Sequence, residues 1–221
     1  MLGSPLSESR REQATKKLVF VAFGDSLTVG YHSATLGEEW PRPTPYTGFL
    51  ETSTRQMLSQ RGAPEIKVEF LNRGIVGEVT GEMLDRFERD VLEQRPDAVI
   101  ILGGSNDLGW GIEVPVVADN LSSMAEDALS AGIQPVACTV PSVLGFDEGI
   151  PPRRILNGLI KKHSAERGMI CVDIFSSTSD SEGRLRQDYS DDGLHMSALG
   201  YEAMAQAIFT DAVRKIVLGR L

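Results

Sequence analysis

The sequence is poor in cysteine, histidine and positive charge, and it has no long apolar segment. Only 2 of its 221 residues are cysteine and 3 are histidine. None of its apolar runs approaches the roughly 18 residues that a membrane-spanning helix needs. The 22 lysine and arginine residues are outnumbered by 31 acidic residues, which gives a net charge of −9. Because nucleic acids and anionic membranes attract basic surfaces, we expect neither nucleic-acid binding nor membrane insertion.

The few cysteine and histidine residues also argue against a disulfide and a metal centre. Cys138 and Cys171 lie within apolar stretches that are typical of buried strands, so we expect two small core thiols. The histidine, cysteine and carboxylate residues do not have the spacing of zinc ligands. No glycine-rich dinucleotide or phosphate-binding loop follows the first apolar run. A metal or nucleotide cofactor is therefore poorly supported.

Residues 1–17 are polar and charged, and they lack the apolar core of a secretory signal. We interpret them as a flexible tail in front of a single domain over residues 18–221. Together with the expected free thiols, this predicts a cytoplasmic protein, unless the present N-terminus replaces a natural secretion signal.

Short apolar runs alternate with helical patterns along the rest of the chain. Compact apolar runs predict buried strands, and apolar residues at helical spacing predict helices. Five strands alternating with helices predict an α/β protein with a parallel sheet covered on both faces. In such folds ligands bind at the carboxyl ends of the strands. The predicted strands span 18–23, 66–71, 97–102, 134–140 and 169–174; the predicted helices span 46–60, a stretch ending at 94, 114–130, 153–167 and 197–218; and surface loops are predicted over 31–45 and 176–186.

The first predicted strand ends abruptly at Gly24-Asp25-Ser26. Gly24 permits a tight bend, and a helix that begins here directs its first N–H groups outward. The Ser26 hydroxyl is then presented on a turn. Because a serine alone is a poor nucleophile, this turn predicts chemistry only if a base and donors for an oxyanion lie nearby.

His195 is the candidate base. Of the other histidines, His32 follows the serine turn in a loop and His163 lies on a predicted helix beside two lysines. Asp192 stands three residues before His195, with a glycine between them. This spacing can bring the carboxylate to one imidazole nitrogen while the other faces a serine. A surface Asp-Gly turn capped by a histidine would have the same spacing.

Asp191 is a competing acid. Because it is adjacent to Asp192, the two side chains are expected to face different ways. We favour Asp192 as the partner of His195 and interpret Asp191 as a residue that caps the turn.

Asn106 and Gly77 are the candidate oxyanion donors. Asn106 follows a buried strand among glycines, and its side-chain amide is a neutral donor. An asparagine that only stabilises its own turn would look the same. Gly77 also follows a predicted strand and could offer a backbone N–H that no side chain covers, but a plain turn glycine is an equally good interpretation.

Four segments together resemble the blocks of the SGNH, or GDSL-type, serine hydrolases. The match covers nearly the whole chain, from about residue 18 to 218. One departure lies in the second block, where Val76 replaces a frequent serine and Glu78-Val79 replaces a usual Asp-Thr. The four segments are 24–27 (Gly-Asp-Ser-Leu), 72–77 (Asn-Arg-Gly-Ile-Val-Gly), 104–107 (Gly-Ser-Asn-Asp) and 192–195 (Asp-Gly-Leu-His).

The resemblance implies a three-layer α/β/α sandwich with a flavodoxin-like, five-stranded parallel sheet. It implies Ser26 as the nucleophile, His195 as the base and Asp192 as the acid that orients it. It also implies an oxyanion hole made of the Ser26 and Gly77 backbone N–H groups and the Asn106 side chain. Such a mechanism needs no cofactor.

The expected activity is hydrolysis of short- to medium-chain carboxylic esters through an acyl-enzyme, because no long apolar lid is visible. Alternatives are an esterase that removes acetyl groups from carbohydrates, an acyltransferase with the same catalytic residues, or a non-catalytic ligand-binding module on the same fold. The sequence fits a monomer or a homodimer equally well. The candidate substrate-pocket residues, several of which ordinary loop packing would also explain, are Asp25, Trp40, Trp110, Ile112, Leu144 and Phe146.

Overall fold

A computed structural model of the protein describes residues 17–33 and 42–221. The predicted N-terminal tail, apart from Lys17, lies outside the described residues, and so does Trp40. Lys17 is the first residue of a strand rather than the last residue of a tail.

The centre of the fold is a five-stranded sheet in which every neighbouring pair is parallel. The strand order β2-β1-β3-β4-β5 places the first strand between the second and the third. The chain therefore reverses its direction of winding at the carboxyl ends of β1 and β3, where ligands of such sheets bind. The strands are β1 (Lys17–Gly24), β2 (Lys67–Gly74), β3 (Ala98–Leu102), β4 (Gln134–Cys138) and β5 (Ile170–Val172).

Helices cover both faces of this sheet. A short π-helical segment, Phe209–Val213, joins the last two of them. None of the helices in the described parts of the chain is long and apolar enough to cross a membrane. The helices are α1 (Ser26–Val29), α2 (Tyr46–Gln60), α3 (Thr80–Asp90), α4 (Ser105–Gly109), α5 (Val114–Ser130), α6 (Ile150–Glu166), α7 (Ile174–Thr178), α8 (Ala198–Ile208) and α9 (Arg214–Leu218).

Alternate residues of the strands pack into two separate cores, as the period of a strand requires. In β1, Phe20 contacts the core under α2 and α8, whereas Phe23 contacts the core under α3, α5 and α6. Cys138 and Cys171 are free thiols that belong to opposite faces of the sheet. These two cores and the sheet make the three layers that the resemblance implied, and the predicted fold class is confirmed.

Most predicted elements are present, but the C-terminal third was predicted less well. Strand β5 ends earlier than expected, because Asp173 accepts a hydrogen bond from the N–H of Ser176 and so begins α7. The predicted surface loop 176–186 therefore begins inside a helix, and Leu185 within it is fully buried. The predicted closing helix 197–218 consists of α8, the π-helical segment and α9.

The carboxyl end of β1 is packed so closely that only glycine fits there. In the sheet register Gly24 lies between Gly74 of β2 and Leu102 of β3. A Cβ atom at Gly24 would clash with the carbonyl oxygen of Leu102 and would lie 2.5 Å from Oγ1 of Thr28. The absence of a side chain at Gly24 thus allows the turns after β1, β2 and β3 to meet.

Replacing Gly24 should therefore disturb the sheet. We expect Gly24→Ala to lower the free energy of unfolding by about 2 kcal/mol or more, since the clash is with backbone that cannot move cheaply. Gly48→Ala is the matched control: a Cβ there meets nothing within 4 Å, and alanine at a helix position should stabilise by about 0.5 to 1 kcal/mol. Urea unfolding of the three proteins checks this, and equal stabilities of Gly24→Ala and wild type would contradict it.

Candidate active site

Ser26 is the first residue of α1, directly beyond the end of β1. Asp25 begins this helix, because its Oδ1 atom accepts the N–H of Leu27 at 2.9 Å. No described residue accepts a hydrogen bond from the N–H of Ser26. This N–H is therefore available to a ligand, and the side chain beside it is nearly buried, at 4% exposed.

The structure brings Ser26, His195 and Asp192 into one hydrogen-bonded line. Nε2 of His195 lies 3.2 Å from Oγ of Ser26. Nδ1 of the same ring lies 2.7 Å from Oδ2 of Asp192. Asp191 is exposed and has no hydrogen bond or ion pair among the described residues. Of the two candidate acids, Asp192 is thus the one in contact with the histidine.

Asp192 is held in its ionised form. Burial acts to raise its pKa, but hydrogen bonds from Ser33, from the His195 ring and from the N–H groups of Leu194 and His195 outweigh burial and leave the pKa well below its usual range. A carboxylate in this state can fix the tautomer of the imidazole and stabilise an imidazolium. The Ser33 contact has no signal in the sequence, since nothing in the pattern of residues relates positions 33 and 192.

The loop that carries Asp192 and His195 is anchored on its inner side. Gly193 adopts a φ of +83°, and a Cβ atom there would clash with the carbonyl oxygen of Leu144. The N–H of Leu144 in turn donates to the carbonyl oxygen of Gly193 at 2.8 Å. The ring of Tyr31 contacts His195 edge-on, with 4.7 Å between ring centroids. The imidazole is therefore positioned by contacts from three parts of the chain.

Gly77 and Asn106 lie in the turns that follow β2 and β3, the two neighbours of β1. Gly77 is exposed and has a φ of +81°, and a Cβ atom at this position would meet nothing within 4 Å. No described residue accepts its N–H. The side-chain Nδ2 of Asn106 donates to the carbonyl oxygen of Glu78 at 2.8 Å. Because an amide nitrogen carries two hydrogens, a second donor of Asn106 remains for a ligand.

The turn that carries Asn106 is held by hydrogen bonds of Asp107, whose side chain is fully buried. Both of its carboxylate oxygens accept the N–H of Thr80 at 3.0 Å, and Oδ1 also accepts the Thr80 hydroxyl at 2.5 Å. This connects the turn after β3 to the start of α3.

The described residues among the predicted substrate-pocket candidates differ in how exposed they are and in what they pack against. Asp25 is only 1% exposed and caps α1 from inside the protein, and its place in a substrate pocket remains a prediction. Trp110 and Phe146 are 80% and 59% exposed and remain predictions, as does Leu144 beside Gly193. Ile112 packs against the core under α5 and α6.

A groove of about 550 Å³ lies beside Gly77, and sequence reasoning missed it. Its apolar part consists of Ile75 and Val76, which are 45% and 53% exposed. Their exposure could not be predicted from the sequence, because two adjacent apolar residues after a strand would also fit the buried end of that strand. A larger cavity of about 680 Å³ is lined by α2 and β2 and includes Lys17 and Lys67, the first residues of β1 and β2. It therefore lies at the opposite end of the sheet. In the described ranges, no three histidine, cysteine or acidic side chains are arranged to hold a metal ion.

Comparison with known proteins shows the family. Residues 22–203 match the model of the GDSL-like Lipase/Acylhydrolase family, and the chain belongs to it. An acetylxylan esterase of Geobacillus stearothermophilus is 31% identical over 107 residues, which are 47% of this chain and 45% of that protein. An uncharacterized lipoprotein of Bacillus subtilis is 33% identical over 132 residues, 57% of this chain and 49% of that protein. The chain thus spans about half the length of these curated relatives.

Among solved structures, the lipase/acylhydrolase from Enterococcus faecalis has a similar fold, with a TM-score of 0.71 and 25% sequence identity. The match covers 90% of this chain and 96% of that one.

The buried carboxyl group of Asp25 makes stability depend on pH. Burial, together with the nearby carboxylates of Asp107 and Glu78, raises the pKa of Asp25 to about 7. A carboxyl group with a raised pKa stabilises the fold fully below its unfolded pKa of 3.8, and this contribution is lost as the pH rises through about 7. We expect Asp25→Asn, which has no charge to bury, to gain stability relative to wild type between pH 4 and pH 8.

Urea unfolding at pH 4, 6 and 8 measures this difference, which should reach on the order of 2 to 4 kcal/mol at the highest pH. Asp191→Asn, at an exposed position, is the control and should leave the pH dependence as in wild type. Parallel curves for wild type and Asp25→Asn would show that the buried carboxyl group does not titrate in this range.

Proposed function

We propose that the protein is a serine esterase that hydrolyses short- to medium-chain carboxylic esters through an acyl-enzyme on Ser26. The observation that carries this proposal is the hydrogen-bonded arrangement of Ser26, His195 and Asp192. Nε2 of His195 lies 3.2 Å from Oγ of Ser26, and Nδ1 lies 2.7 Å from Oδ2 of Asp192. This arrangement lies at the carboxyl end of the sheet, and the N–H groups of Ser26 and Gly77 have no hydrogen-bond acceptor among the described residues. Membership of the GDSL-like family supports an ester-hydrolysing activity.

In the proposed first step, Oγ of Ser26 bonds to the ester carbonyl carbon and its proton passes to Nε2 of His195. The Asp192 carboxylate stabilises the imidazolium that forms. The carbon–oxygen bond to the alcohol then breaks, and the alcohol oxygen takes the proton from His195. Ser26 is left acylated.

The negative charge that develops on the carbonyl oxygen needs donors already in place. The Ser26 and Gly77 N–H groups and the second N–H of the Asn106 side chain would supply three, all neutral. Preorganised donors of this kind contribute roughly 3 to 4 kcal/mol each to stabilising a transition state.

Water completes the cycle. It gives a proton to His195 as its oxygen bonds to the acyl carbon, and the proton returns to Oγ of Ser26 as the acid departs. The four charged or polar partners of Asp192 keep the acid ionised through both steps.

The apolar part of the groove beside Gly77, Ile75 and Val76, is small, and this supports esters of short or medium acyl chains. A second candidate is removal of acetyl groups from carbohydrates. The similarity to an acetylxylan esterase favours it, and the groove also carries the carboxylates of Glu82 and Asp85, which can accept hydrogen bonds from sugar hydroxyls.

An acyltransferase would use the same acyl-enzyme but pass the acyl group to an alcohol instead of water. A non-catalytic module on this fold is a remote alternative, because it would not require a serine, a histidine and an acid in one hydrogen-bonded line.

The first test is hydrolysis of 4-nitrophenyl esters from acetate to palmitate by wild type and Ser26→Ala. We expect activity to peak at short or medium chains and to fall by a factor of at least about 10³ in Ser26→Ala, since within residues 17–33 and 42–221 only the Ser26 hydroxyl is hydrogen-bonded to Nε2 of His195. Added alcohol and added acetylated xylo-oligosaccharides distinguish the transferase and the carbohydrate esterase. Activity that survives in Ser26→Ala would contradict the assignment of the nucleophile.

The two neighbouring acids provide a matched pair of variants. Asp192→Asn should lower kcat by a factor of about 10² to 10⁴, because the amide can stabilise neither the correct tautomer nor the imidazolium. Asp191→Asn differs from it by one position and should keep kcat within about twofold of wild type. Steady-state kinetics at pH 8 compares them, and a larger loss in Asp191→Asn would reverse the assignment.

A further inference from the structure

Arg86 is a buried arginine beside the site that the proposed mechanism does not use. Its side chain is 7% exposed and lies over the ring of Phe23, with Cζ 4.1 Å from the ring centroid. Nε donates to Oε1 of Glu78 at 2.6 Å, and Nη2 contacts the second carboxylate oxygen of Glu78. The Glu78 side chain is 6% exposed. The two residues therefore form a bidentate ion pair inside the protein.

The same guanidinium reaches the serine turn. Nη2 of Arg86 also donates to the carbonyl oxygen of Gly24 at 3.2 Å. The N–H of Ile75 donates to that oxygen at 3.0 Å. Arg86 thus connects the end of β1, two residues before Ser26, to the loop that carries Gly77.

Glu78 connects this loop to the third part of the site. While its side chain binds Arg86, its backbone carbonyl accepts Nδ2 of Asn106. Glu78 therefore contacts both Arg86 and the side chain of Asn106, a proposed oxyanion donor. It is also adjacent in sequence to Gly77, another proposed donor.

The loop is hydrogen-bonded at its two ends, where the N–H of Ile75 donates to Gly24 and Thr80 donates to Asp107, but residues 76 and 77 between them have no hydrogen bond to another described residue. Ile75 and Val76 are about half exposed, Gly77 has no side chain, and the N–H of Glu78 makes only a long contact of 3.5 Å to the carbonyl oxygen of Ile75. Side-chain packing therefore contributes little to fixing the direction of the Gly77 N–H. Oxyanion donors must be held to within about 0.5 Å to be effective.

We propose that Arg86 and Glu78 are positioning residues of the oxyanion hole, whose ion pair fixes the Gly77 N–H and the Asn106 amide relative to Ser26. This inference rests on the proposed function. An ion pair suits the task better than apolar contact, because the planar guanidinium fixes direction as well as distance through its two parallel hydrogen bonds. A buried pair of this kind adds little net stability, so its value would lie in geometry.

The charge on Arg86 is secure. Burial acts to lower its pKa, but the hydrogen bonds to Glu78 and Asp90 outweigh burial and raise the pKa above its ordinary value.

Glu78→Gln and Arg86→Lys test the proposal. The first keeps the size of the side chain and removes its charge; the second keeps the charge and removes the planar fork. Asp90→Asn is the matched control, because Asp90 binds Nη1 of Arg86 at 2.9 Å and its one other ion-pair partner among the described residues is Arg89 of the same helix. If the Glu78→Gln variant does not fold, Glu78→Asp is tested instead, because aspartate keeps the negative charge and its side chain is shorter by one methylene group.

The primary measurement is the rate at which a fluorophosphonate labels Ser26, per folded protein, because this reaction also develops charge on an oxygen and needs no known substrate. Steady-state kcat and KM on 4-nitrophenyl esters and the melting temperature accompany it. We expect both site variants to lose a factor of about 10 to 10² in labelling rate and in kcat, with KM within about threefold. Asp90→Asn should keep both rates within about twofold of wild type.

Two results would overturn the inference separately. Suppose the fluorophosphonate labels Ser26 of the wild-type protein, and both variants are labelled at the same rate but have lower melting temperatures. The Arg86–Glu78 pair is then only structural, and the proposed function stands. If wild type is not labelled on Ser26, the proposed function fails and the positioning role falls with it.

Discussion

The arrangement of the site depends on the carbonyl oxygen of Gly24. Gly24 lies between Gly74 and Leu102 in the sheet, and its carbonyl accepts hydrogen bonds from the N–H of Ile75 and from Arg86. A side chain at this position would force the strands apart. Because β2, β1 and β3 are neighbouring parallel strands and are in register here, the turns that follow them lie close together. The donors beside Ser26 are a consequence of this meeting.

The acid and base arrive from the far end of the chain and are held independently. Gly193 packs against the backbone of Leu144, and Asp192 is held by Ser33 and by backbone N–H groups of its own loop. Among the described residues, the contacts that hold Asp192 and Gly193 are separate from those that connect the turns after β1, β2 and β3.

The order of strands and helices could be predicted from apolar runs, because a parallel sheet buries its strands on both faces. The helices α2 and α5 have the bounds that their spacing predicts. Where a polar side chain begins a helix, as Asp173 does, the pattern of apolar residues carried no signal. At the site, the line Ser26–His195–Asp192 follows the predicted pairing. The burial of Asp25, the contact of Ser33 with Asp192 and the contact of Arg86 with Gly24 depend on residues far apart in the chain, which periodicity cannot relate.

In the proposed mechanism, three neutral donors surround the former carbonyl oxygen of the ester after Oγ of Ser26 has bonded to the carbonyl carbon. The most direct measurement is a crystal structure of the protein phosphonylated on Ser26. The account predicts that one phosphonyl oxygen lies within about 3 Å of the Ser26 N–H, the Gly77 N–H and Nδ2 of Asn106 together. A phosphonyl oxygen that points to solvent, or an adduct on another residue, would contradict it.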